Sequence, residues 1–452
     1  MLLVLSLLFV IFFIVVATSY FKLHPFITLI FAAFFLGFLS PIPLLDVISH
    51  INAGFGNTLK NIGLVILFGT LIGVILEKTG AAITMAETVI KLLGKRFPTL
   101  TMSIVGYIVS IPVFCDSGYI ILNSLKQSLA NRLKVSGVAM SVALATGLFA
   151  THNLVPPTPG PIAAAGNLKL ENLGLVIIFG LGIALCATVA GYLWSRRFIN
   201  EEPDGEGAEE LQQTTDFETL KASYGKLPSS FQAFAPILVP IILICLGSVA
   251  GFPSLPFGDK TTIAFKVISF LGQPVNALLL GLFCALTLLK PGKRLDDFNS
   301  YITQGILAAA PILLITGAGG AFGEVIKMTE VGAYIGKGLS TLGIGIFVPF
   351  IVAAALKTAQ GSSTVALITT STLMLPILGD LGLDSEMGRV LVVMAIGAGS
   401  MAVSHANDSF FWVVTQFSKM SVPQAYRAQT MATLMQGLVA MVVVYILTLI
   451  LL

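Results

Sequence analysis

Long runs of apolar residues separated by short polar segments dominate this chain. They constrain its fold more than any other feature of the sequence. Ten runs approach or reach the roughly 20 residues that a helix needs to cross a lipid bilayer. They cover residues 2–19, 26–40, 61–76, 137–152, 172–194, 234–251, 268–289, 302–323, 388–403 and 430–452. The sequence therefore predicts an all-α polytopic membrane protein whose main surroundings are the lipid bilayer.

Composition excludes several other classes of protein. Hydrophobic residues make up 56% of the 452 residues and the net charge is only +3, which indicates no nucleic-acid partner. Cys115, Cys186, Cys245 and Cys284 each lie in an apolar run without CxxC spacing, so we expect neither a disulfide framework nor a zinc site. No other metal or cofactor is expected. The first run lacks a basic segment before it, which favours a retained span over a cleaved signal peptide.

Two further apolar runs, at about 99–130 and 346–378, are interrupted by polar residues. The first contains the tip Phe114-Cys115-Asp116-Ser117-Gly118, and the second contains Lys357 followed by Gly361-Ser362-Ser363-Thr364. Each run is long enough to enter the membrane and return, so we predict two re-entrant hairpins with these residues at their tips. Ionisable residues at membrane depth are costly and mark functional sites. Half-helix ends at such tips present unpaired N–H groups that suit an anion.

A second pair of polar segments follows the hairpins. One is Thr151-His152-Asn153 with the proline-rich residues 154–161, and the other is Ser404-His405-Ala406-Asn407-Asp408. Four prolines between 156 and 161 cannot continue a helix, so the span that starts at Gly137 is predicted to unwind near His152. The carbonyl groups that unwinding frees can bind an ion or a hydroxylated solute. Each half also places a histidine here, and imidazole titrates in the physiological range.

The two halves of the chain resemble each other when the sequence is shifted by 250 positions. Matching pairs include Pro41 with Pro291, Asp46 with Asp296, Gly69 with Gly319, Gly73 with Gly323 and Gly147 with Gly397. We therefore predict a duplicated unit, with residues 1–199 and 231–452 as the two repeats. Residues 200–230 are rich in acidic residues, proline and glycine, which predicts a flexible linker between them.

Loop charge indicates how the two repeats are oriented, because short cytoplasmic loops carry an excess of lysine and arginine. At three pairs of corresponding loops, the loop of one repeat contains basic residues, whereas its counterpart in the other repeat has none or has mainly acidic residues. The basic members are Lys91, Lys95 and Arg96, then Lys126, Arg132 and Lys134, and in the second repeat Lys290, Lys293 and Arg294. The sequence thus predicts inverted repeats, each of about five spans and one hairpin. The first hairpin enters from the cytoplasmic side, where the linker also lies, and the second enters from outside.

These residues resemble the gluconate permease family of proton-coupled symporters, within the broader ion transporter superfamily. The resemblance runs nearly end to end. It rests on the Phe-Cys-Asp-Ser-Gly tip, Thr151-His152 with its proline run, Gly317-Ala318-Gly319-Gly320-Ala321-Phe322, Gly361-Ser362-Ser363-Thr364-Val365-Ala366, and Ser404-His405-Ala406-Asn407-Asp408 with Phe411-Trp412. It implies proton-driven uptake of a small hydroxylated carboxylate, typically a sugar acid, across the inner membrane. Relatives carry D-serine, and the superfamily implies a homodimer.

The chain departs from the family pattern at three positions. Asp116 stands where the family commonly has glutamate, Thr158 stands in a run where members often have histidine, and Lys357 replaces a common arginine. Aspartate and lysine keep the charges. Lysine cannot make the forked contact with a carboxylate that arginine makes, so gluconate itself is less certain as the substrate than an acid of this kind.

Residue types at the tips and breaks suggest roles in transport. The substrate-binding candidates are Ser117, Thr151, Asn153, Thr158, Lys357, Ser362, Ser363, Thr364 and Asn407. Asp116 and Asp408 are the proton-carrying candidates, with His152 and His405 in reserve. Burial favours the neutral form of a carboxyl group, so protonation can accompany the entry of an anion. Each candidate has a plainer alternative, since Asp116 could cap a half-helix, Lys357 could reach the outer interface, and a histidine could bond a nearby carbonyl.

Other classes of function fit less well. A sodium-coupled carrier of a carboxylate or of D-serine stays open, because tip hydroxyls and freed carbonyls could hold Na⁺. A membrane hydrolase built from Ser117, His152 and Asp408 is disfavoured, since the repeat accounts for these residues and no GxSxG or HExxH motif is present. The absence of a P-loop argues against an ATP-driven pump. Glu324 lies near a span end and is expected to anchor an interface.

Overall fold

The fold is built from α-helices throughout the part of the chain that the computed structural model describes. That part comprises residues 6, 9–10, 12–14, 16–17, 20–21, 23–40, 43–94, 96–205, 217–251, 256–289, 294–328, 345–406 and 408–452. The helices up to the linker are α1 (Pro25–Phe38), α2 (Leu44–Lys78), α3 (Ala81–Leu93), α4 (Pro98–Val109), α5 (Cys115–Leu133), α6 (Gly137–Leu154), α7 (Pro159–Asn167) and α8 (Leu173–Ser195). The remainder are α9 (Phe217–Ser223), α10 (Ser230–Ala250), α11 (Ile263–Leu271), α12 (Pro274–Leu286), α13 (Arg294–Lys327), α14 (Phe347–Gln360), α15 (Ser363–Met374), α16 (Glu386–Met401), α17 (Ser409–Phe417), α18 (Val422–Ala425) and α19 (Met431–Leu451).

Local sequence accounts for where these helices begin. Proline occupies the first helical position of α1, α4, α7 and α12, where its missing N–H has no partner to lose. Ser136, Asn172, Ser229, Ser385 and Ser421 each accept a hydrogen bond from a backbone N–H in the first turn of the helix that follows. The predicted all-α fold is confirmed.

Six helical segments of the described chain are long and apolar enough to cross a membrane, and a bent pair of helices makes a seventh. These seven correspond to seven of the ten predicted spans. Run 268–289 is not one straight helix, because α11 and α12 meet at an angle of 69°. Runs 26–40 and 388–403 form the shorter helices α1 and α16, and run 2–19 lies largely outside the described residues.

The broken helices α6 and α16 lie in the middle of the bundle, away from lipid. Every residue of α6 is buried, as is every residue of α16 from Val390 to Met401. Small residues let backbones approach closely here, since a side chain on Gly147 would collide with the backbone of Ser103 in α4. Gly399 meets the backbone of Phe350 in α14 in the same way. Each broken helix therefore packs tightly against the first helix of its own hairpin.

Each hairpin is also held by the opposite half of the chain. In the first hairpin, the hydroxyl of Tyr119 on α5 lies 2.5 Å from the Ser418 hydroxyl, just after α17. In the second hairpin, Ser371 and Thr372 on α15 accept hydrogen bonds of 3.0 and 3.1 Å from the side-chain amide of Asn167, the last residue of α7. These cross-contacts tie the two halves into one unit.

The order of helices recurs at the spacing seen in the sequence. Helices α2 and α13 start at positions 44 and 294, and the short helices α7 and α17 span 159–167 and 409–417. Hairpin, broken helix and short helix follow one another in the same order in both halves. Several helix starts thus recur about 250 residues apart, at the spacing of the sequence pattern.

The linker is held at both of its described ends, which differs from the predicted flexible segment. Asp204 accepts a hydrogen bond of 3.0 Å from the Ser421 backbone, and the Gly205 N–H donates to the Lys419 carbonyl at 2.9 Å. Further along, Lys221 of α9 pairs with Glu87 of α3 at 2.7 Å. Composition predicted no core here, but it could not reveal these polar contacts with the helices. Linker residues 206–216 lie outside the described part.

Candidate functional site

Two helical hairpins bring their tips into the interior of the protein. Residues 110–114 join α4 to α5, and Gly361 with Ser362 joins α14 to α15. Gly361 has a φ of +87°, a conformation that side-chain-bearing residues rarely adopt, so the second tip depends on glycine. Helices α5 and α15 both begin at a tip. Their first-turn N–H groups lack partners within the helix and favour a negative charge nearby.

The two broken helices supply the other walls of the site. Helix α6 ends at Leu154, two residues beyond the predicted point at His152, and α7 starts at Pro159. Helix α16 ends at Met401, and α17 starts after Asp408. Asp408 caps α17 by accepting a hydrogen bond of 3.1 Å from the N–H of Phe410. Both predicted breaks thus occur in the structure.

A buried ion pair joins the second hairpin to the second break. The ammonium group of Lys357 lies 2.5 Å from Oδ2 of Asp408 and donates a second hydrogen bond of 2.8 Å to the Gly361 carbonyl. Lys357 is 0% exposed, so it does not reach the outer interface. The Ser404 hydroxyl lies 2.5 Å from the same oxygen of Asp408. Removing one partner of such a pair leaves an uncompensated buried charge, which costs about 3–5 kcal/mol.

Aromatic rings close one side of this ion pair. Phe149 of α6 stacks on Phe410 of α17 with 5.0 Å between ring centroids. The Lys357 ammonium lies 5.9 Å from the centroid of Phe149, within range of a cation–π interaction. Neither ring was predicted from the sequence, because a phenylalanine in an apolar run gives no signal of its position. They exclude water from the charges, which strengthens electrostatic interactions there.

Asp116 and His152 complete a cluster of charged and titratable groups. Asp116, in the first turn of α5, is close enough to Asp408 and Lys357 to interact electrostatically with both. Its Oδ1 atom is buried and has no hydrogen-bond partner among the described residues, so it does not cap the helix. His152 interacts with Asp408, and its Nδ1 atom is likewise unpartnered. Four separate elements therefore bring two carboxylates, one ammonium and one imidazole together.

The hydroxyl candidates occupy the tips and breaks, mostly with local hydrogen bonds. Ser362 caps α15 by accepting from the Val365 N–H at 3.3 Å. Thr158 donates to the Val155 carbonyl at 2.5 Å and precedes α7. Thr151 lies within 3.5 Å of carbonyls of its own helix. Ser117 lies in the first turn of α5. The remaining candidates at the second tip, Ser363 and Thr364, form the first turn of α15, where their N–H groups face the tip.

Two of the candidates, Asn153 and His405, make hydrogen bonds other than those of this cluster. Asn153 donates to the Phe149 carbonyl at 2.8 Å and accepts from Ser400 at 3.3 Å, so its amide joins α6 to α16. His405 bonds the Thr358 carbonyl at 2.9 Å, which is the plainer role that the sequence left open for a histidine. Asn407 lies outside the described residues. Gln360, which had no predicted role, lies at the second tip with a buried Nε2 that has no partner among the described residues.

A polar cavity lies between the long helices and the second hairpin. Its volume is about 240 Å³, and α2, α13, α15 and the end of α7 line it. The lining includes Asn57, Asn61, Asn167, Glu324 and Thr372. Glu324 was predicted to anchor a membrane interface, but it lines this cavity. Helices α7 and α15 pack together between this cavity and the second tip, and Gly160 lies against Leu367 and Thr364 near that tip.

Comparison with known proteins assigns the family. A profile described as GntP family permease matches residues 1–450. The chain belongs to this family. GntP permeases are membrane transport proteins, and with its several apolar helices this one is a multi-pass inner-membrane protein and not an enzyme. The resemblance inferred from the sequence motifs is thereby confirmed.

Individual relatives of this GntP permease cover nearly its whole length. A protein named gluconate permease from Pseudomonas aeruginosa is 34% identical over 97% of this chain and 95% of its own. The D-serine transporter DsdX of Escherichia coli K12 is 29% identical over 95% and 94%. The crystal structure of the YdaH transporter from Alcanivorax borkumensis, described as having an unusual topology, covers 94% of this chain and 98% of its own with a TM-score of 0.66 at 14% identity. That similarity shows a shared fold.

Proposed function

We propose that this permease carries a small hydroxylated carboxylate, such as gluconate or a related sugar acid, into the cell together with a proton. Relatives named as gluconate transporters, 30–34% identical to this chain, support the substrate class. The observation that carries the proton coupling is the charge balance of the buried cluster. Asp116 and Asp408 contribute two negative charges against the single positive charge of Lys357.

This balance makes the entry of an anion alone unfavourable. With both aspartates ionised, the cluster carries one net negative charge, and a bound carboxylate would bring it to two. Each uncompensated charge in a buried site costs several kcal/mol. One proton taken up with the substrate restores the original balance. Binding of the acid and binding of the proton therefore favour each other.

The Lys357–Asp408 contact supplies a route to this coupling. When Asp408 accepts a proton, its attraction to Lys357 weakens and the ammonium becomes available to the substrate carboxylate. The N–H groups at the start of α15 would share that charge, since Ser363 and Thr364 lie in its first turn. Hydroxyl groups of the substrate would meet Ser117, Thr158, Ser362 and the amide of Gln360. Asn407 remains a candidate for the same role.

Access from one side would run through the polar cavity. Its amides and hydroxyls suit a polyol, and helices α7 and α15 pack together between it and the second tip. The recurrence of several helix starts about 250 residues apart and the distribution of basic loops support two inverted repeats with hairpins that enter from opposite sides. Residues 1–199 and 231–452 would then form the repeats around a cytoplasmic linker. By resemblance to the superfamily, the permease would work as a homodimer.

D-serine is the second candidate substrate, because a D-serine transporter aligns over 95% of the chain. A zwitterion adds no net charge to the cluster, so its binding would not require a proton for charge balance. Gluconate uptake should therefore acidify the vesicle interior, and D-serine uptake should do so less or not at all. A sodium-coupled carrier would show uptake that follows a sodium gradient instead.

Uptake in proteoliposomes tests the proposal. Labelled gluconate should accumulate under an inward proton gradient and not under a sodium gradient alone. Asp116→Asn and Asp408→Asn should each lose accumulation, because each removes a carboxylate that can take up the proton. Asp384→Asn is the matched control, since that residue is exposed in a loop and should leave accumulation unchanged. Accumulation driven by sodium, or full proton-driven accumulation in both cluster variants, would refute the proposed coupling.

A further inference from the structure

Lys126 is a second buried cation, and it lies outside the charge cluster. It is 0% exposed on α5, in the first hairpin. Its ammonium donates to the Ser141 hydroxyl at 2.8 Å, with the hydroxyls of Tyr119 and Ser418 each 3.4 Å away. Among the described residues, no carboxylate lies within salt-bridge distance of it. The sequence predicts Lys126 to be a cytoplasmic loop residue; this prediction is wrong, because Lys126 lies within α5 and its side chain is enclosed between helices.

Burial without an opposite charge makes Lys126 costly if it stays protonated. Hydroxyl groups replace only part of the hydration that an ammonium loses, and several kcal/mol remain uncompensated. An apolar side chain of similar volume would fill the same space without that cost. Lysine also differs from arginine in that burial can drive it to release its proton. The environment of Lys126 therefore suits a group that changes its protonation state.

The position of Lys126 connects it with the cluster. Asp116, Tyr119, Asn123 and Lys126 are three or four residues apart, so they share one face of α5. This stripe is about 15 Å long. Asp116 and Asn123 each have a buried Oδ1 atom without a partner among the described residues. The Tyr119 ring lies 5.3 Å from the Lys126 ammonium. Polar groups thus continue along α5 from the charge cluster to Lys126.

The elements packed around Lys126 place few other titratable groups near it. Helix α6 contributes Ser141, and the turn after α17 contributes Ser418. The acids and bases on the neighbouring helices α3 and α9 lie nearer the surface, where Glu87 and Lys221 pair with each other and Glu218 is exposed. None of these charged groups lies within salt-bridge distance of Lys126. The hydroxyl of Tyr119 is the nearest titratable neighbour.

We propose that Lys126 carries the coupling proton from Asp116 toward the cytoplasmic side of the membrane. The neutral amine accepts the proton that Asp116 releases along the stripe, which leaves a carboxylate and an ammonium. The ammonium then passes the proton to water on the cytoplasmic side, and the amine is restored. The Tyr119 hydroxyl, 3.4 Å from the amine, gives its proton to Lys126 and takes up the one released by Asp116, so its O–H bond breaks and forms again and the net change is the transfer of one proton. This inference rests on the proton coupling proposed above and adds the exit route.

Two substitutions separate a proton carrier from a structural cation. Lys126→Met removes the proton site while keeping a side chain of similar length. Lys126→Arg keeps the positive charge and the hydrogen-bond donors, but arginine does not release its proton at physiological pH. Both variants should lose at least tenfold in proton-driven gluconate accumulation. Exchange of labelled for unlabelled gluconate should persist in Lys126→Met, because a loaded carrier can reorient without releasing its proton. Lys91→Met, at an exposed position of α3, is the matched control.

The outcomes distinguish this inference from the proposed function. Proton-driven accumulation in wild type that survives in either Lys126 variant would overturn the role of Lys126 and leave the symport proposal intact. Wild-type uptake driven by sodium would overturn both. Rescue by arginine but not by methionine would identify a structural cation. Loss of exchange together with accumulation in Lys126→Met, in protein that elutes as a single species from size-exclusion chromatography, would likewise refute the proton-exit role.

Discussion

Breaking the Lys357–Asp408 pair one side at a time gives the sharpest test of the cluster. Two unit charges 2.5 Å apart attract each other by about 7 kcal/mol at an effective dielectric constant of about 20. Desolvation of both groups offsets most of this attraction. Lys357→Met should therefore destabilise the protein by about 3–5 kcal/mol, because it leaves two buried carboxylates without a counter-ion. Asp408→Asn should lower the stability by less, since Asp116 still interacts electrostatically with Lys357 and asparagine can still cap α17.

The double variant decides whether the two residues act as a pair. Lys357→Met with Asp408→Asn removes both charges. Its loss of unfolding free energy should therefore be smaller, by at least about 2 kcal/mol, than the sum of the losses in the two single variants. Reversible unfolding in mixed dodecyl sulfate micelles, followed by far-ultraviolet circular dichroism, measures these differences. Lys91→Met with Asp384→Asn, both exposed and far apart in the chain, provides a control pair that should add without coupling. A coupling energy below about 1 kcal/mol would refute the buried pair.

Three further outcomes follow from the packing. Gly147→Ala should strongly lower the free energy of unfolding, because its new methyl group would collide with the Ser103 backbone. Gly182→Ala is the control: it has open space around it, so it should stabilise α8 by up to about 1 kcal/mol in the same unfolding assay. Gly361→Ala should lower the free energy of unfolding by about 1–2 kcal/mol, because Gly361 has a positive φ. It should also reduce gluconate binding measured by calorimetry. Unchanged stability would show that the tip can relax. His405→Gln should reduce the transport rate by no more than about fivefold, because it can remove only one hydrogen bond, which contributes about 1 kcal/mol. Complete loss of uptake would instead indicate that His405 is a proton carrier.

The sequence predicted the general architecture because its signals were local. Apolar run length located seven spans, and the proline run at 156–161 located the first break within two residues. The polar tips located the breaks between α4 and α5 and between α14 and α15, since a charged residue inside an apolar run is too costly to be kept unless it serves a site. Asp116, His152, Lys357 and Asp408 were all selected in this way, and the structure brings them into one cluster.

Long-range contacts were beyond the reach of such signals. The pairing of Lys357 with Asp408 spans 51 positions, and nothing in the local pattern says which acid a buried lysine will meet. Lys126 was assigned to a loop because a basic residue near the end of an apolar run is usually solvated. Its hydroxyl partner Ser418 lies 292 positions away. The docked ends of the linker were missed for the same reason, since polar contacts with distant backbone leave no trace in composition.

The cross-contacts between the halves set the order in which this protein can be completed during synthesis. The Tyr119 hydroxyl of the first hairpin makes its short contact with Ser418, which lies in the second half of the chain. Ring packing against Phe410 adds to the same dependence, since that residue contacts both Tyr119 and Phe149. More than 280 residues must therefore leave the ribosome between the insertion of α5 and its final enclosure. Until then the first half covers the polar face of α5 only in part, through Ser141, so a nascent chain truncated before α17 should be an early target for membrane quality-control proteases.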